Sequence, residues 1–294
     1  MTALSSRLRR LFWKVRPPVL ALGGGGARGF AHIGVLQALS EAGVRPRRIA
    51  GTSAGAVVGA MYLAYGSVES IKDRWKAAFD EGLIPSIEAF SREDDKGAQE
   101  HFLLQAARRI RDRVVISLAV NRSTVLDGSA LKGALDFLLP DIDIEDLPGQ
   151  FVAVATDLET GEEVRLRAGR LRTMVLASSS IPGLVPPVEV ESRLLVDGGV
   201  VAEVPVAAAT TLGRPVLAVD VAMEMPAYRG DRLVLETMAR TGLMTSGLLR
   251  GFQLREADLV LGPDVGPISW SEWDHFDELV NKGYQAASAL LGRS

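Results

Sequence analysis

Apolar and polar residues form alternating blocks along the chain, and these blocks predict strands and helices in turn. Short continuous apolar runs are typical of buried parallel strands. Such runs occupy 17–22, 47–51, 151–156, 193–199, 215–221 and 257–263. Segments with apolar residues at helical spacing occupy 29–43, 54–65, 67–80, 170–180, 231–250 and 272–291. This alternation predicts an α/β fold of three layers, in which helices cover both faces of a mostly parallel central sheet.

The domain organisation predicted from the pattern is simple, because no linker divides the chain. We expect a single domain over 17–294, with a core at 17–221 and a C-terminal extension at 222–294. The stretch 81–128 is less regular, and its apolar spacing predicts an amphipathic helix at 101–120. It is interpreted as a surface excursion, and a flexible cover over an active site is the alternative.

The first 16 residues differ from the rest because they are basic and contain no acid. Their cations are Arg7, Arg9, Arg10, Lys14 and Arg16. Four apolar residues could form one helical face, namely Leu8, Leu11, Phe12 and Val15. The apolar run is too short and broken for a signal peptide. Two interpretations stay open, a frayed basic tail or an interfacial helix that anchors the protein to a membrane.

Composition excludes several classes of function. The 294 residues include no cysteine and only three histidines, so disulfides and thiolate metal sites are excluded and a histidine-rich zinc site is not expected. A net charge of −3 provides no field that attracts nucleic acid. No run of eighteen apolar residues predicts a membrane span. We expect a cytoplasmic protein that makes peripheral contact with the inner face of the membrane.

The stretch "ALGGGGARGFAHIGVL" at 21–36 places four glycines between a strand and a helix. It matches the glycine spacing of a dinucleotide-binding turn, which requires an acidic residue about 20 positions further on. That position carries "IAGTSAG" at 49–55 instead, with no acid. A phosphate-binding P-loop would need Gly-Lys-Ser/Thr, which does not follow. The glycines therefore need another explanation.

The sequence "GTSAG" at 51–55 is a G-x-S-x-G motif, which is typical of a sharp strand-to-helix turn that presents a nucleophilic serine. Ser53 would lie at the positive end of the following helix, where a developing negative charge is stabilised. A serine that only caps the helix is the alternative.

A nucleophilic serine needs a base, and two candidates differ in type. Asp197 follows an apolar strand in "LLVDGG", although an ordinary Asp-Gly turn would have the same sequence. His275, oriented by Asp197 or Asp220, would give the chain order Ser, Asp, His. This second arrangement is disfavoured because Ser53 follows only the second strand.

Three motifs in this order resemble those of the patatin-like phospholipases, namely "GGGARG" at 24–29, "GTSAG" at 51–55 and "DGG" at 197–199. The blocks "FVAVATDLETGEE" at 151–163 and "ASSSIPGLVPPV" at 177–188 are similar to further blocks of that family. The resemblance is strongest to the bacterial branch related to the neuropathy target esterase catalytic domain.

The resemblance implies a serine lipid acyl hydrolase that uses a Ser–Asp dyad, Ser53 and Asp197, and no cofactor or metal. It also implies an oxyanion hole formed by the backbone N–H groups of Gly24, Gly25 and Gly26. Arg28 could bind the head group of a phospholipid or lysophospholipid substrate, or be a solvated arginine that pairs with a local carboxylate. Alternatives are an esterase or acyltransferase acting on other acyl groups, and an inactive lipid-binding module. The oligomeric state is left open.

Overall fold

The computed structural model describes residues 6–84, 128–223 and 234–293. Its helices are α1 Ser6–Val15, α2 Phe30–Glu41, α3 Ala54–Tyr65, α4 Val68–Asp80, α5 Ser129–Leu138, α6 Leu171–Ser178, α7 Val206–Thr210, α8 Val234–Leu254 and α9 Phe276–Leu290. Its strands are β1 Val19–Leu22, β2 Arg48–Thr52, β3 Gln150–Asp157, β4 Glu163–Leu166, β5 Val188–Val190, β6 Arg193–Asp197, β7 Val216–Val219 and β8 Leu259–Leu261. The predicted alternation is confirmed, while the predicted helix at 101–120 lies outside the described residues.

The sheet is mixed. Strands β3, β2, β1, β7 and β8 are parallel neighbours in that order. Strands β4 and β6 both pair with β3 in the antiparallel direction, and β5 pairs antiparallel with β6. The predicted α/β class is confirmed. The pattern did not show that β6 runs against its neighbours, because a buried strand has the same apolar composition in either direction.

Strands β2 and β6 share one edge of β3 and end against each other there. Ala153 pairs with β2 on one side and β4 on the other, and Ala155 pairs with β6 and β4 in the same way. Since β4 occupies the same edge at both residues, β2 and β6 must follow one another along the opposite edge. Val154 pairs with Thr52, the last residue of β2, and Ala155 pairs with Asp197, the last residue of β6. The two strand ends therefore meet within one residue of register.

The two faces of the sheet are covered unequally, which gives the three predicted layers. One face, including Leu20, Ile49 and Leu217, belongs to a large apolar core shared with α2, α3, α4, α5, α6 and α9. The alternate strand positions, including Ala21 and Ala218, pack into a smaller core against α7 and the end of α8. Because side chains on both faces of the sheet are buried, the parallel strands have continuous apolar sequences.

The N-terminal segment contains helix α1, Ser6–Val15, which packs against the rest of the domain, while the two interpretations of residues 1–16, a basic tail or an interfacial helix, stay predictions. Trp13 is buried, and a guanidinium nitrogen of Arg9 donates to the carbonyl oxygen of Leu290 at 3.1 Å. Helix α1 packs beside the C-terminal ends of α2 and α9. Leu8 and Phe12 stay exposed on the outer side of α1.

Candidate active site

Ser53 lies in the sharp turn between β2 and α3 that the sequence predicted. Its backbone has φ 53° and ψ −123°, a conformation that non-glycine residues rarely adopt and that is associated with functional sites. Gly55 makes the turn possible, because a Cβ at that position would lie 2.1 Å from the carbonyl oxygen of Leu22. The helix can therefore approach the sheet closely and raise the serine above the end of β2.

The turn is held by Ser178, which the sequence analysis did not single out. The backbone N–H of Ser53 donates to Ser178 Oγ at 3.0 Å, and Ser178 Oγ donates to the carbonyl oxygen of Val154 at 2.6 Å. One hydroxyl thus links the strained residue to β3. The block "ASSSIPGLVPPV" contained this serine, but nothing in the pattern distinguished it from its two neighbours.

Asp197 lies next to Ser53 at the meeting point of β2 and β6. Its carboxylate forms a side-chain hydrogen bond with Ser53 and accepts the backbone N–H of Gly199 at 2.7 Å. Its own backbone N–H donates to the carbonyl oxygen of Ser180 at 2.8 Å. The residue is only 6% exposed, so the carboxylate is largely removed from water. The structure thus brings together the two residues predicted as nucleophile and base.

Burial raises the pKa of the Asp197 carboxyl to about 6, because desolvation disfavours its charged form. The hydrogen bonds from Ser53 and Gly199 act in the opposite direction, and the negative charge of Glu203 adds to the increase. The carboxylate is therefore a stronger base than an ordinary aspartate, yet it is still mainly ionised at neutral pH.

His275, the alternative base, does not take part in this arrangement. It lies at the exposed start of α9, where its Nδ1 atom is 2.8 Å from a carboxylate oxygen of Glu278. Asp220, the second proposed orienter, instead pairs with Arg250 at 3.4 Å. The geometry therefore favours the carboxylate over the histidine as the partner of Ser53.

His32 has a structural position beneath the glycine loop. It is fully buried, and its Nε2 atom lies 2.8 Å from the carbonyl oxygen of Gly23. Burial lowers its pKa to about 4, so the imidazole is neutral at pH 7. Because a carbonyl can only accept, the Nε2–H group must donate this bond and fix the start of the loop.

The glycine loop offers two free amides rather than three. The N–H of Gly24 donates to the carbonyl oxygen of Glu203 at 2.8 Å, so it is already paired. Among the described residues the N–H groups of Gly25 and Gly26 have no acceptor. Gly26 has φ +56°, and a Cβ there would lie 2.3 Å from the carbonyl oxygen of Trp270. A side chain at this position would therefore not fit.

Ser53 lies where two pockets meet. The first is apolar and is lined by residues of α2 to α5 and of the loop after α6, among them Phe30, Val57, Trp75, Leu135, Leu138 and Val185. The second is more polar and contains Asp197, the glycine loop, Arg28 and residues of α8. Trp270 borders both pockets. An ester placed at Ser53 could direct an apolar chain to one side and a polar group to the other.

Besides Asp197, the charged side chains that line the polar pocket are Arg28, Glu203 and Arg250, and the two arginines are not equally paired. Arg250 lies 3.5 Å from a carboxylate oxygen of Glu203 and 3.4 Å from one of Asp220. Arg28 forms no salt bridge among the described residues, and its Nε donates to the carbonyl oxygen of Gly25 at 3.3 Å. Burial lowers the pKa of Arg28, while Glu203 partly compensates its charge. Arg28 is thus the arginine with donors available for a ligand.

Within 6–84, 128–223 and 234–293 the chain forms neither a metal-binding cluster nor a membrane-spanning helix. No group of three or more histidine, aspartate or glutamate side chains in these ranges could hold a metal ion. No helix in the same ranges combines the length and apolar character needed to cross a bilayer.

The mixed sheet with helices on both faces defines an α/β protein, in which a serine turn, a buried aspartate and a glycine loop lie close together. Comparison with protein families gives the same result more specifically. A profile described as patatin-like phospholipase matches residues 20–210. The chain belongs to the patatin-like phospholipase family, whose members are generally lipid acyl hydrolases.

Individual relatives agree with this assignment. An uncharacterized NTE family protein of Mycobacterium tuberculosis is 35% identical over 191 residues, which are 64% of this chain and 44% of the relative. Human patatin-like phospholipase domain-containing protein 6 is 28% identical over 308 residues, covering 93% of this chain and 20% of that protein. The chain spans less than half the length of these curated relatives.

A solved structure shows the same fold. VipD of Legionella pneumophila superimposes with a TM-score of 0.51 at 17% identity, covering 94% of this chain and 66% of VipD.

Proposed function

We propose that this protein hydrolyses an acyl ester of a phospholipid or lysophospholipid, with Ser53 as nucleophile and Asp197 as general base. The observation that carries the proposal is the hydrogen bond between a strained serine and a buried aspartate at the junction of an apolar and a polar pocket. Each element alone has a structural explanation, but together they supply a nucleophile, a base and places for both parts of a lipid ester.

In the first half of the reaction, Ser53 Oγ attacks the ester carbonyl carbon while its proton passes to Asp197. The N–H groups of Gly25 and Gly26, which lack other acceptors, stabilise the oxyanion. A preorganised donor of this kind typically lowers the barrier by about 2.7–4 kcal/mol. The intermediate collapses by breaking the bond to the alcohol oxygen, and this oxygen takes the proton from Asp197.

In the second half, water attacks the acyl-enzyme carbonyl and transfers a proton to Asp197. Collapse of the second intermediate releases the fatty acid, and Ser53 Oγ recovers its proton from Asp197. The raised pKa of Asp197 assists both proton transfers, because a base works best when its pKa is near the working pH. Gly24 contributes space and loop shape in this scheme, since its N–H is paired with Glu203.

Arg28 is assigned to the polar part of the substrate. It lines the same pocket as Ser53, its positive charge is incompletely neutralised, and it forms no salt bridge among the described residues. A phosphate group would provide the missing partner. Arg28→Gln is expected to raise KM for a lysophospholipid while changing KM for a neutral p-nitrophenyl ester much less.

The main test compares the wild-type protein with Ser53→Ala and Asp197→Asn on phosphatidylcholine, lysophosphatidylcholine and p-nitrophenyl esters, with release of fatty acid or nitrophenol measured. Both variants should lose hydrolysis, and the exposed-site control His275→Ala should retain it. Rapid labelling of wild type by a fluorophosphonate, absent in Ser53→Ala, would show an activated serine. Activity on p-nitrophenyl esters without activity on either lipid would indicate a different esterase, and absence of both labelling and hydrolysis would contradict the proposal.

A further inference from the structure

The outer face of α8 is mainly apolar, and Arg255, just beyond the end of the helix, places its guanidinium 5.1 Å from the centre of the Phe252 ring. Its exposed side chains recur at three- and four-residue spacing, so they share one side of the helix. They are Met238, Met244, Leu248, Leu249 and Phe252. From Thr241 to Leu249 the helix contains no ionisable residue. A helix that exposes such a face to water leaves substantial apolar surface uncovered, which typically marks a site of interaction.

The opposite side of α8 forms part of the polar pocket. Ser246, Gly247 and Arg250 line that pocket, and Arg250 is anchored by its pairs with Glu203 and Asp220. The polar side of the helix therefore faces Ser53, and the apolar side faces away from the protein. Such a division is typical of helices that lie in the interface of a membrane.

The rim of the pocket continues this apolar surface. Val200, Leu243 and Trp270 border the pocket and are also exposed, with Leu243 at 56% and Val200 at 47%. Tryptophan at such a rim suits the boundary between water and lipid, because its ring is apolar and its N–H is polar. The exposed face of α8 and these three rim residues are called the docking surface below.

We infer that the docking surface rests on a phospholipid bilayer and that substrate enters the pocket directly from the lipid. This inference rests on the proposed function, since it needs a lipid substrate. An acyl chain that crossed water to reach Ser53 would expose every methylene group, and each exposure is unfavourable. A bilayer in contact with the rim avoids that exposure. A protein partner on the same surface would instead obstruct the entrance.

The basic N-terminal helix lies at the other end of the sheet and does not share this surface. Helix α1 packs beside Leu290, at the end of α9, and beside Gly43, which follows α2. Ala54, the residue after Ser53, lies at the opposite end, beside Gly29 at the start of α2. The 12 residues of α2 separate these levels by about 18 Å at ~1.5 Å per residue. Helix α1 and Ser53 therefore lie near opposite ends of α2, and the exposed side chains of α1 are not part of the docking surface.

The chain offers a closely matched pair of variants for the test. Leu248 and Phe252 are four residues apart on α8 and are 66% and 52% exposed, while Leu8 and Phe12 are four residues apart on α1 and are 54% and 41% exposed. Each pair is changed to glutamate in the Ser53→Ala protein, so that binding is measured without hydrolysis. Flotation with phosphatidylcholine vesicles, alone or with some phosphatidylglycerol, gives the partition constants.

Leu248→Glu/Phe252→Glu should weaken vesicle binding by about 30-fold or more, since about half of each side chain would otherwise be buried in lipid. Leu8→Glu/Phe12→Glu should change binding by less than about threefold on phosphatidylcholine, because α1 lies away from the contact. Circular dichroism and Tm show whether each variant folds. Equal binding by the α8 variant and its parent, or an equal loss in the α1 variant, would overturn the inference. So would a lipid-free dimer that the α8 substitutions dissociate.

A second measurement keeps Leu248 and Phe252 unchanged, so its result does not depend on whether the glutamate variants fold. Vesicles with brominated acyl chains should quench the tryptophan fluorescence of the Ser53→Ala protein, and the quenching should largely disappear when Trp270→Phe is added. Quenching unaffected by Trp270→Phe would overturn the docking geometry. If both assays succeed but the Ser53-containing protein releases no fatty acid from the same vesicles, the proposed function fails while the docking surface stands.

Discussion

Replacement of Asp197 by asparagine is expected to stabilise the protein at neutral pH while abolishing hydrolysis. Asparagine keeps an oxygen that can accept the N–H of Gly199, and its amide can donate to Ser53, so the local hydrogen bonds can be preserved. What it removes is a negative charge held in a site from which water is excluded. Enzymes commonly accept a loss of stability at such positions.

The magnitude follows from the pKa of Asp197. Folding raises this pKa from 3.8 to about 6, so the folded state binds the proton more tightly than the unfolded state. Stability contributed by this group is therefore present below pH 3.8, is lost as the pH rises to about 6, and stays lost above. At 1.36 kcal/mol for each unit of pKa, ionisation of Asp197 lowers the free energy of unfolding by about 3 kcal/mol at pH 7.5.

Urea denaturation of wild type and Asp197→Asn at pH 7.5 and pH 4 provides the measurement. The variant should be more stable by up to about 3 kcal/mol at pH 7.5, and the difference should nearly vanish at pH 4. Other groups that titrate in this interval, such as His32, are present in both proteins and cancel in the comparison.

A matched control exists in Asp264, whose carboxylate accepts the N–H of Gly266 at 3.2 Å in a similar turn but is exposed to solvent. Asp264→Asn should leave stability almost unchanged at either pH. An Asp197→Asn protein that is no more stable than wild type at pH 7.5, or whose gain is the same at both pH values, would refute the electrostatic explanation.

Three further outcomes follow from the same geometry. The wild-type kcat/KM should fall as the pH drops below about 6, since the base must be ionised, and a flat profile between pH 5 and 8 would argue against Asp197 as the base. Ser178→Ala leaves the buried N–H of Ser53 unpaired, so the free energy of unfolding measured in urea should fall by about 1–3 kcal/mol. The kcat should fall as well, and an unchanged kcat would mean that the turn keeps its shape without Ser178. Gly242→Ala on α8, where a Cβ meets nothing within 4 Å, should raise stability by about 0.5–1 kcal/mol, and a loss would indicate an unrecognised contact.

The sequence was most informative where local chemistry alone determines structure. Apolar runs predicted the parallel strands, and "GTSAG" predicted the turn at Ser53, because a close helix approach requires glycine at fixed positions. The pattern made Asp197 a candidate base for Ser53, and the family resemblance then favoured it over the alternatives. The physical meeting of Ser53 and Asp197 depends on pairing between strands that are far apart in the chain.

Features that depend on long-range pairing were not accessible from the pattern. The Gly24 N–H is paired with the carbonyl oxygen of Glu203, which lies about 180 residues further along, and no local signal indicates this. The hydrogen bond from the Ser53 N–H to Ser178 Oγ likewise joins residues that are far apart in the sequence. Arg28 and Arg250 look alike in the sequence, and only the positions of Glu203 and Asp220 make one of them paired and the other available.

The head-to-head arrangement of β2 and β6 on one edge of β3 has a consequence for how this protein can vary. Because β2 ends opposite Val154 and β6 ends opposite Ala155, pairing with β3 fixes the distance between nucleophile and base. The turn after β3 and the stretch leading into β6 can change length without moving either strand end. A one-residue insertion within β3 would instead reverse the facing of every later position in the strand and separate the two oxygens.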